Sequence, residues 1–396
     1  MTTKNRNIYA DNAATTPVCD VAYMAITQIL KEEYGNPSSI YKKGQVAKQK
    51  LDDARSQIAS SIGANSNDIY FTSGGTEANN WALKGVMEAA AISGKKHVIA
   101  SAIEHHSVLN TLKHLHKQGF EYTLLPVHED GLVRADELAG AIRHDTGLVT
   151  VMFANNEIGT IQPISDLGAI CHKLSIPFHT DAVQAVGHTP INVEQQNIDL
   201  LSLSGHKFNG PKGVGALYIR KGVRLCVHQD GGAQENKMRA GTENTAGIVG
   251  MAAALVEALA NLEGRSAYVA MLRDYFIDKT LKINRSRLNG HRIERLPGNV
   301  NMCFEGIEGE SLILMLDSKG ISASSGSACT SESLEPSHVL LAIGLPHEIA
   351  HGSLRLSFDH TNTFEDMDYI IEMLKLVVGK LRDLSPLWEK IINTNI

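Results

Sequence analysis

Leu200-Leu201-Ser202-Leu203-Ser204-Gly205-His206-Lys207-Phe208-Asn209-Gly210-Pro211-Lys212-Gly213 is the stretch from which the rest of the chain is read. Ile198 to Leu203 is short and mostly apolar, the pattern of a buried strand. It runs into Ser-Gly-His-Lys and then a Gly-Pro breaker. Lys207 therefore stands where a rigid strand gives way to a loop. Partial desolvation there lowers an amine's pKa, and the neutral amine can form a Schiff base. Ser204 and His206 flank it with groups able to bind an anion. A surface lysine in a turn fits the same residues, so the stretch alone leaves both open. A P-loop does not fit, because Pro-Lys-Gly, not Lys-Ser/Thr, follows Gly210.

Working outward, 396 residues suffice to bury a substantial core, or two. A hydrophobic share of 43% and a charged share of 20% are those of an ordinary soluble globular protein. The net charge of −6, without a long block of like charges, argues against a broad nucleic-acid or anionic-membrane footprint. The N-terminus lacks the apolar core of a secretory signal, and no apolar run reaches spanning length; Ile248 to Leu262 comes nearest, interrupted by Glu257. A cytoplasmic protein is expected. The five cysteines, Cys19, Cys171, Cys226, Cys303 and Cys329, include no Cys-x-x-Cys pair, which disfavours a disulfide framework or zinc ribbon.

From Asp68 to Ile219 short apolar runs alternate with helical patterns. Strands are expected at 68–72, 96–100, 120–125, 148–153, 177–180, 198–203 and 215–219, with helices at 76–90, 107–119, 134–142 and 164–173. That alternation indicates a mainly parallel sheet covered by helices on both faces. Helices at 19–31 and 43–62 precede it. From Thr245 to about Ile283 the helical pattern is nearly continuous, which predicts one long helix bridging two domains. A strand at 299–304, a helix at 310–319 and a C-terminal helix at 364–384 follow.

Several strand ends carry chemistry. Phe71-Thr-Ser-Gly-Gly-Thr-Glu-Ala-Asn-Asn is a strand end, a glycine pair and a helix start, so free amides and the Thr76 hydroxyl make an anion cradle or a plain N-cap. Phe178-His-Thr-Asp-Ala-Val-Gln ends a strand on Asp181. An acid in an apolar setting needs a cation or donors, and a pyridinium nitrogen would serve; an N-cap aspartate is the plainer reading. Gln184 stands within reach of the same ligand. In Ser101-Ala-Ile-Glu-His-His-Ser, His105 is placed to stack on an aromatic cofactor and move a proton. A metal site from His105, His106, His114 and His116 is disfavoured, since adjacent histidines diverge. Phe153-Ala-Asn-Asn-Glu-Ile-Gly supplies amides to fix a ligand, or only a polar loop. Ser322 to Ser331 is a run of small residues bearing one thiol, Cys329. In Ser353-Leu-Arg-Leu-Ser, Arg355 is suited to a carboxylate or to a surface ion pair.

Taken in order, Asp11-Asn-Ala-Ala-Thr-Thr, Tyr34-Gly-Asn-Pro-Ser-Ser, Thr72-Ser-Gly-Gly-Thr-Glu-Ala-Asn-Asn, Asn155-Asn-Glu-Ile-Gly, Asp181-Ala-Val-Gln, Ser204-Gly-His-Lys, Arg239-Ala-Gly-Thr-Glu-Asn and Ser325-Gly-Ser-Ala-Cys-Thr-Ser resemble the group I cysteine desulfurases, the NifS/IscS type of the class-V aminotransferase superfamily. The resemblance runs from about Tyr9 to Ser357. It implies an α/β protein of the PLP-dependent transferase fold type I: a mainly parallel seven-stranded sheet in a large domain, 16–264, and a smaller α+β domain formed by 1–15 with 265–396. It implies pyridoxal 5'-phosphate, a homodimer, L-cysteine as substrate, and a sulfur-acceptor protein such as an iron-sulfur scaffold. Membrane and direct nucleic-acid partners are not expected.

Position by position, the resemblance makes Lys207 the Schiff-base lysine, His105 the ring-stacking histidine and Asp181 the partner of the pyridine nitrogen. Gln184 and Asn156 fall near the phenolic oxygen. Gly75, Thr76, Ser204 and His206 match phosphate binders, and Thr242 matches one reaching across from the other subunit. Arg355, with Asn156, matches the substrate-carboxylate site. Cys329 matches the persulfide-forming cysteine, activated by a base or positive field for which His105 is a candidate. No metal is expected, beyond transient iron-sulfur ligation by Cys329. A selenocysteine lyase or class-V transaminase would share all but the need for Cys329, and a non-enzymatic scaffold would share the fold. Tyr41, Asp359 and Glu235-Asn-Lys-Met depart from the family's usual residues.

Overall fold

A computed structural model of the protein describes residues 6–325 and 336–393. Seven strands form the central sheet, in the spatial order Ile69–Thr72, Gly215–Ile219, Leu200–Ser204, Phe178–Asp181, Thr146–Thr150, His97–Ser101 and Glu121–Leu125. Gly215–Ile219 runs antiparallel to both of its neighbours, while the pairs from Leu200–Ser204 to Glu121–Leu125 are parallel. Helices such as Gly75–Ala91 and Ile164–Lys173 connect the strands. Their placement follows from sequence. A strand buried on both faces reads as a near-continuous apolar run, as Leu200–Ser204 does, and every residue of that strand is buried. The C-terminal ends of the parallel strands share one edge, the side of open α/β sheets on which ligands bind.

A second core gathers Ile8 and Ala10 with Leu272, Phe276, Val300, Phe304, Leu356, Ile370 and Leu374. It is built on the antiparallel strands Ser353–Ser357, Asn299–Phe304 and Ser286–Leu288 and on the helix Phe364–Asp383. Ile8–Tyr9 pairs in parallel with Ile321–Ser322. The N-terminal arm then crosses to the large sheet. Asn12 Nδ2 donates to Ser357 O at 2.9 Å, and Thr16 N donates to His206 O at 3.0 Å.

One expectation is corrected. The helical pattern from Thr245 is not one rod but two helices, Thr245–Ala260 and Leu262–Thr280, bent by 74°. Asn261, at φ −139° and ψ 45°, leaves the helical region between them. The first helix buries Ile248, Met251 and Leu255 in the core of the large sheet, and the second buries Leu272 and Phe276 in the other core. A straight helix could not follow both surfaces. No single helix among the described residues is long and apolar enough to cross a membrane.

Candidate active site

The strand ends converge on a cavity of about 400 Å³. It is lined by Gly75, Thr76, His105, Asn156, Asp181, Gln184, Ser204, His206, Lys207 and Arg355, together with Ala13, Ala14, Asn79 and others. Ten of the sequence-designated residues thus meet in one place. Thr242 does not line the cavity; it lies exposed in the loop before the helix Thr245–Ala260. Cys329 lies outside the described residues.

Lys207 closes a single 3₁₀ turn, Gly205–Lys207, directly after the strand Leu200–Ser204. Its ammonium donates to Ala13 O at 2.6 Å and Ala14 O at 2.8 Å. The N-terminal arm therefore supplies the lysine's backbone partners. Gln184 Nε2 donates to the same Ala13 O at 2.9 Å. Behind the turn, His188 Nε2 donates to Lys207 O at 2.8 Å, and burial lowers this imidazole's pKa.

Asp181 is 5% exposed and accepts from two neutral donors, Asn79 Nδ2 at 2.6 Å and Val183 N at 3.0 Å. A buried carboxylate held only by neutral donors beside a cavity fits a protonated heteroaromatic nitrogen. The helix Gly75–Ala91 opens on Gly74 with no side-chain cap, so its first amides stay available to an anion. A Cβ added at Gly215, on the facing strand, would come within 2.7 Å of Gly74 Cα, so glycine is required for that close approach. Ser204 and His206 complete the cradle. Burial, then the positive charges of Lys207 and Lys212, push His206 down to about 4, so it is neutral at neutral pH. These residues fit the phosphate and ring nitrogen of pyridoxal 5'-phosphate.

Across the cavity, Arg355 is 2% exposed, and its strand Ser353–Ser357 belongs to the second core. Its Nη2 pairs with Asp11 Oδ1 at 2.8 Å and its Nη1 donates to Asn156 O at 3.2 Å. Its Nε is buried and has no partner among the described residues, which fits a carboxylate ligand. The Asn155–Gly159 loop divides its labour. Asn155 is structural, donating to Ile103 O and accepting from Glu157 N and Ile158 N, while Asn156 faces the cavity.

His105 caps the helix His106–Lys117: its Nδ1 accepts from Ser107 N at 3.1 Å and lies 2.8 Å from Ser107 Oγ. Burial lowers its pKa, as do His106 and Lys207, against Asp181, which raises it. His106 turns away, its ring packed 4.8 Å from that of His338. No group of three or more histidine, cysteine or acidic side chains suited to a metal occurs among the described residues.

Two further acids lie just behind this wall. Glu104 is fully buried; its Oε1 accepts from Ser101 Oγ at 2.6 Å and Met152 N at 2.8 Å, and burial pushes it up to about 8. Glu157 accepts from Ser337 Oγ, and burial pushes it up to about 7. The segment that carries Cys329 is anchored on both sides at this site. Before it, Ser324 and Arg355 exchange backbone hydrogen bonds at 3.1 and 2.7 Å. After it, Ser337 binds Glu157, and His338 Nε2 donates to Glu104 O at 3.0 Å.

Sequence reasoning missed Asn79, Ser107, Glu104, Glu157 and the Ala13 and Ala14 carbonyls. Asn79 and Ser107 stand inside motifs quoted for other residues, but nothing local places Asn79 against an aspartate 102 positions away. Two of the departures from the family pattern have local explanations, and nothing in the structure explains Tyr41, which is exposed. Glu235 is buried, binds both guanidinium nitrogens of Arg55 at 2.7 and 2.8 Å, and accepts from Phe71 N. Asp359 Oδ1 closes a turn on the amide and hydroxyl of Thr361.

The aminotransferase class-V family pattern matches residues 8–370. The cysteine desulfurase IscS of Methanosarcina thermophila is 56% identical over 390 residues, covering 98% of this chain and 96% of that protein. The IscS of Dictyoglomus turgidum is 51% identical over 382 residues, covering 96% and 97%. Among solved structures, a NifS-like protein superposes with a TM-score of 0.90 at 36% identity, covering 95% of this chain and 100% of that one. SspA, solved in complex with cysteine, gives 0.80 at 36% identity, covering 89% and 99%.

Proposed function

The chain belongs to the class-V aminotransferase family and within it is a cysteine desulfurase, and from that premise we propose that it binds pyridoxal 5'-phosphate at Lys207 and moves the sulfur of L-cysteine to Cys329, releasing L-alanine. The observation that carries this reading is the meeting of Lys207, Asp181, His105 and Arg355 around one cavity. When bound, the cofactor supplies an electron sink conjugated to the substrate Cα. Gly75, Thr76, Ser204 and His206 bind its phosphate. Asp181 keeps a proton on its ring nitrogen, and Asn156 and Gln184 stand by its phenolic oxygen. Arg355 holds the substrate carboxylate. Lys207 would be the base that takes the Cα proton of the bound substrate. His105 covers the ring. Cys329 as thiolate would attack the substrate sulfur, the S–S bond forming as the substrate Cβ–S bond breaks and its electron pair stays on the carbon that takes up a proton to give L-alanine; the persulfide is then held for an acceptor protein.

The anchors of the Cys329 segment support this assignment, because Ser324 is bonded to Arg355 itself and Ser337 to the neighbour of Asn156. Cys329 is four positions on from Ser325, a reach of at most about 13 Å.

The same reading divides the chain into a cofactor-carrying unit, 16–264, and a second unit of 1–15 with 265–396; the core around Leu272, Phe276 and Leu356 supports it, while Val339, Leu340 and Ile343 pack into the core of the large sheet. It also makes the protein a homodimer. Val21, Met24, Tyr34, Ile40 and Tyr41 are exposed apolar side chains of the kind a second copy would bury, and its Thr242 would then reach this cradle. The expected setting is the cytoplasm and the expected acceptor an iron-sulfur scaffold.

Loading the chain with pyridoxal 5'-phosphate should give a visible absorbance band that Lys207→Ala removes. Intact-mass analysis after L-cysteine should find one extra sulfur on Cys329. Sulfur release that survives Cys329→Ser, or alkylation of all thiols, would refute the persulfide and favour a transaminase-like lyase.

A further inference from the structure

Asn79 lies on the helix Gly75–Ala91, is 1% exposed, and spends its amide on two different functional groups. One N–H goes to Asp181 Oδ2 at 2.6 Å and the other to Ser107 Oγ at 2.9 Å. The amide's orientation is fixed by chemistry: a carboxylate only accepts, so the atom facing Asp181 must be the nitrogen. Ser107 Oγ accepts from Asn79 and therefore turns its own hydrogen toward His105 Nδ1, 2.8 Å away. The Ser107 backbone amide donates to the same Nδ1. Two donors aimed at Nδ1 leave it no hydrogen, so the neutral ring carries its proton on Nε2. Protonating Nδ1 would set N–H against N–H. The arrangement has a cost: Asn79 Oδ1 is buried without a partner among the described residues. Packing alone gives no reason to retain such an orphan.

We infer that Asn79 is a positioning residue for the reaction, one amide that orients the Asp181 carboxylate and, through Ser107, holds His105 as the neutral Nε2–H tautomer. This rests on the proposed roles of Asp181 and His105 and refines them. His105 then acts on bound ligands as a hydrogen-bond donor, and the proton of the Cys329 thiol leaves by another route. The charged and titratable groups around His105 are consistent with this. His106 and Lys207 oppose a positive imidazole, burial opposes it further, and Asp181 alone favours it.

The test is long-range ¹H–¹⁵N NMR on the full chain labelled with ¹⁵N-histidine, recorded with and without pyridoxal 5'-phosphate, the His105 signals being those lost in His105→Gln. The expected result is the Nε2–H tautomer, titrating below the ordinary histidine midpoint. In Asn79→Ala the Ser107 hydroxyl is free to accept from Nδ1–H, so the midpoint should rise by about one pH unit. Ser107→Ala, which keeps the backbone donor and removes the hydroxyl, should give a smaller rise, and it carries the test if Asn79→Ala does not fold. An Nδ1–H tautomer in the native chain, or a His105 titration unmoved by both variants, overturns the inference. The cofactor-free spectra read the network directly. A chain that shows the expected tautomer but gives no visible band on loading would sink the cofactor reading, and with it Asn79's part in the reaction, and leave only the tautomer assignment.

Discussion

Glu104 offers a prediction whose sign and size follow from burial. Its carboxyl is enclosed, Oε1 takes two hydrogen bonds, and Oε2 has no partner among the described residues. Burial, with a further contribution from Asp181, pushes it from 4.5 to about 8. Below pH 4.5 folded and unfolded chains both carry the proton, so the group is neutral with respect to stability. Between pH 4.5 and about 8 the folded chain holds a proton that the unfolded chain has lost. Stability therefore falls as pH rises, by about 1.4 kcal/mol per unit, and levels off above pH 8. Across the window this group's contribution is about 5 kcal/mol. Glu104→Gln keeps the acceptor for Ser101 and Met152 and puts an amide where Oε2 already stands unpartnered. It should match the native chain near pH 5 and exceed it in stability by several kcal/mol at pH 8. Glu157, raised for the same reason, adds a parallel slope to both proteins and cancels in the difference. Urea unfolding of both chains at pH 5, 6.5 and 8 measures that difference. Infrared spectra at pH 6.5 should also show one more protonated carboxylic acid in the native chain than in the variant, which keeps that of Glu157. A stability difference that is flat across the three pH values would refute the claim that Glu104 is buried as the neutral acid.

Two substitutions separate the remaining roles. Arg355→Lys loses the two-pronged geometry, and with charged hydrogen bonds worth about 1.5–3 kcal/mol the KM for L-cysteine should rise roughly tenfold to a hundredfold; an unchanged KM would remove Arg355 from the substrate site. Ser337 accepts from the amides of Val339 and Leu340 as well as donating to Glu157. Ser337→Ala should cost about 1–2 kcal/mol of stability and slow persulfide formation on Cys329 while leaving the cofactor's absorbance intact, as stopped-flow spectra and mass analysis would show.

The part of the site legible in the sequence is the part written at strand ends. Lys207, Asp181 and His105 each follow a short apolar run at the point where the chain turns. Lys207 and Asp181 each had a plainer reading taken alone, a surface lysine or an N-cap aspartate, and it was the order of the motifs along the chain that singled these positions out. The sheet itself was legible because buried strands and covering helices differ in period. What escaped is what only tertiary proximity creates. Nothing near Ala13 or Ala14 marks their carbonyls as partners of Lys207, 194 and 193 residues on. The break at Asn261 escaped because composition stays helical through it. The bend comes from two cores pulling successive helices in different directions, and a local pattern contains neither core.

The N-terminal arm has a consequence for how the protein is made. Asp11 leaves the ribosome long before it can seat, because it must wait for Arg355, 344 residues later. At about 5–20 residues per second that delay is on the order of 20–70 s. Throughout it, Lys207 emerges and its strand can fold, yet the carbonyls that hold its amine have no second sheet to brace them. Until Arg355 is in place, the arm cannot fix the position of the Lys207 amine.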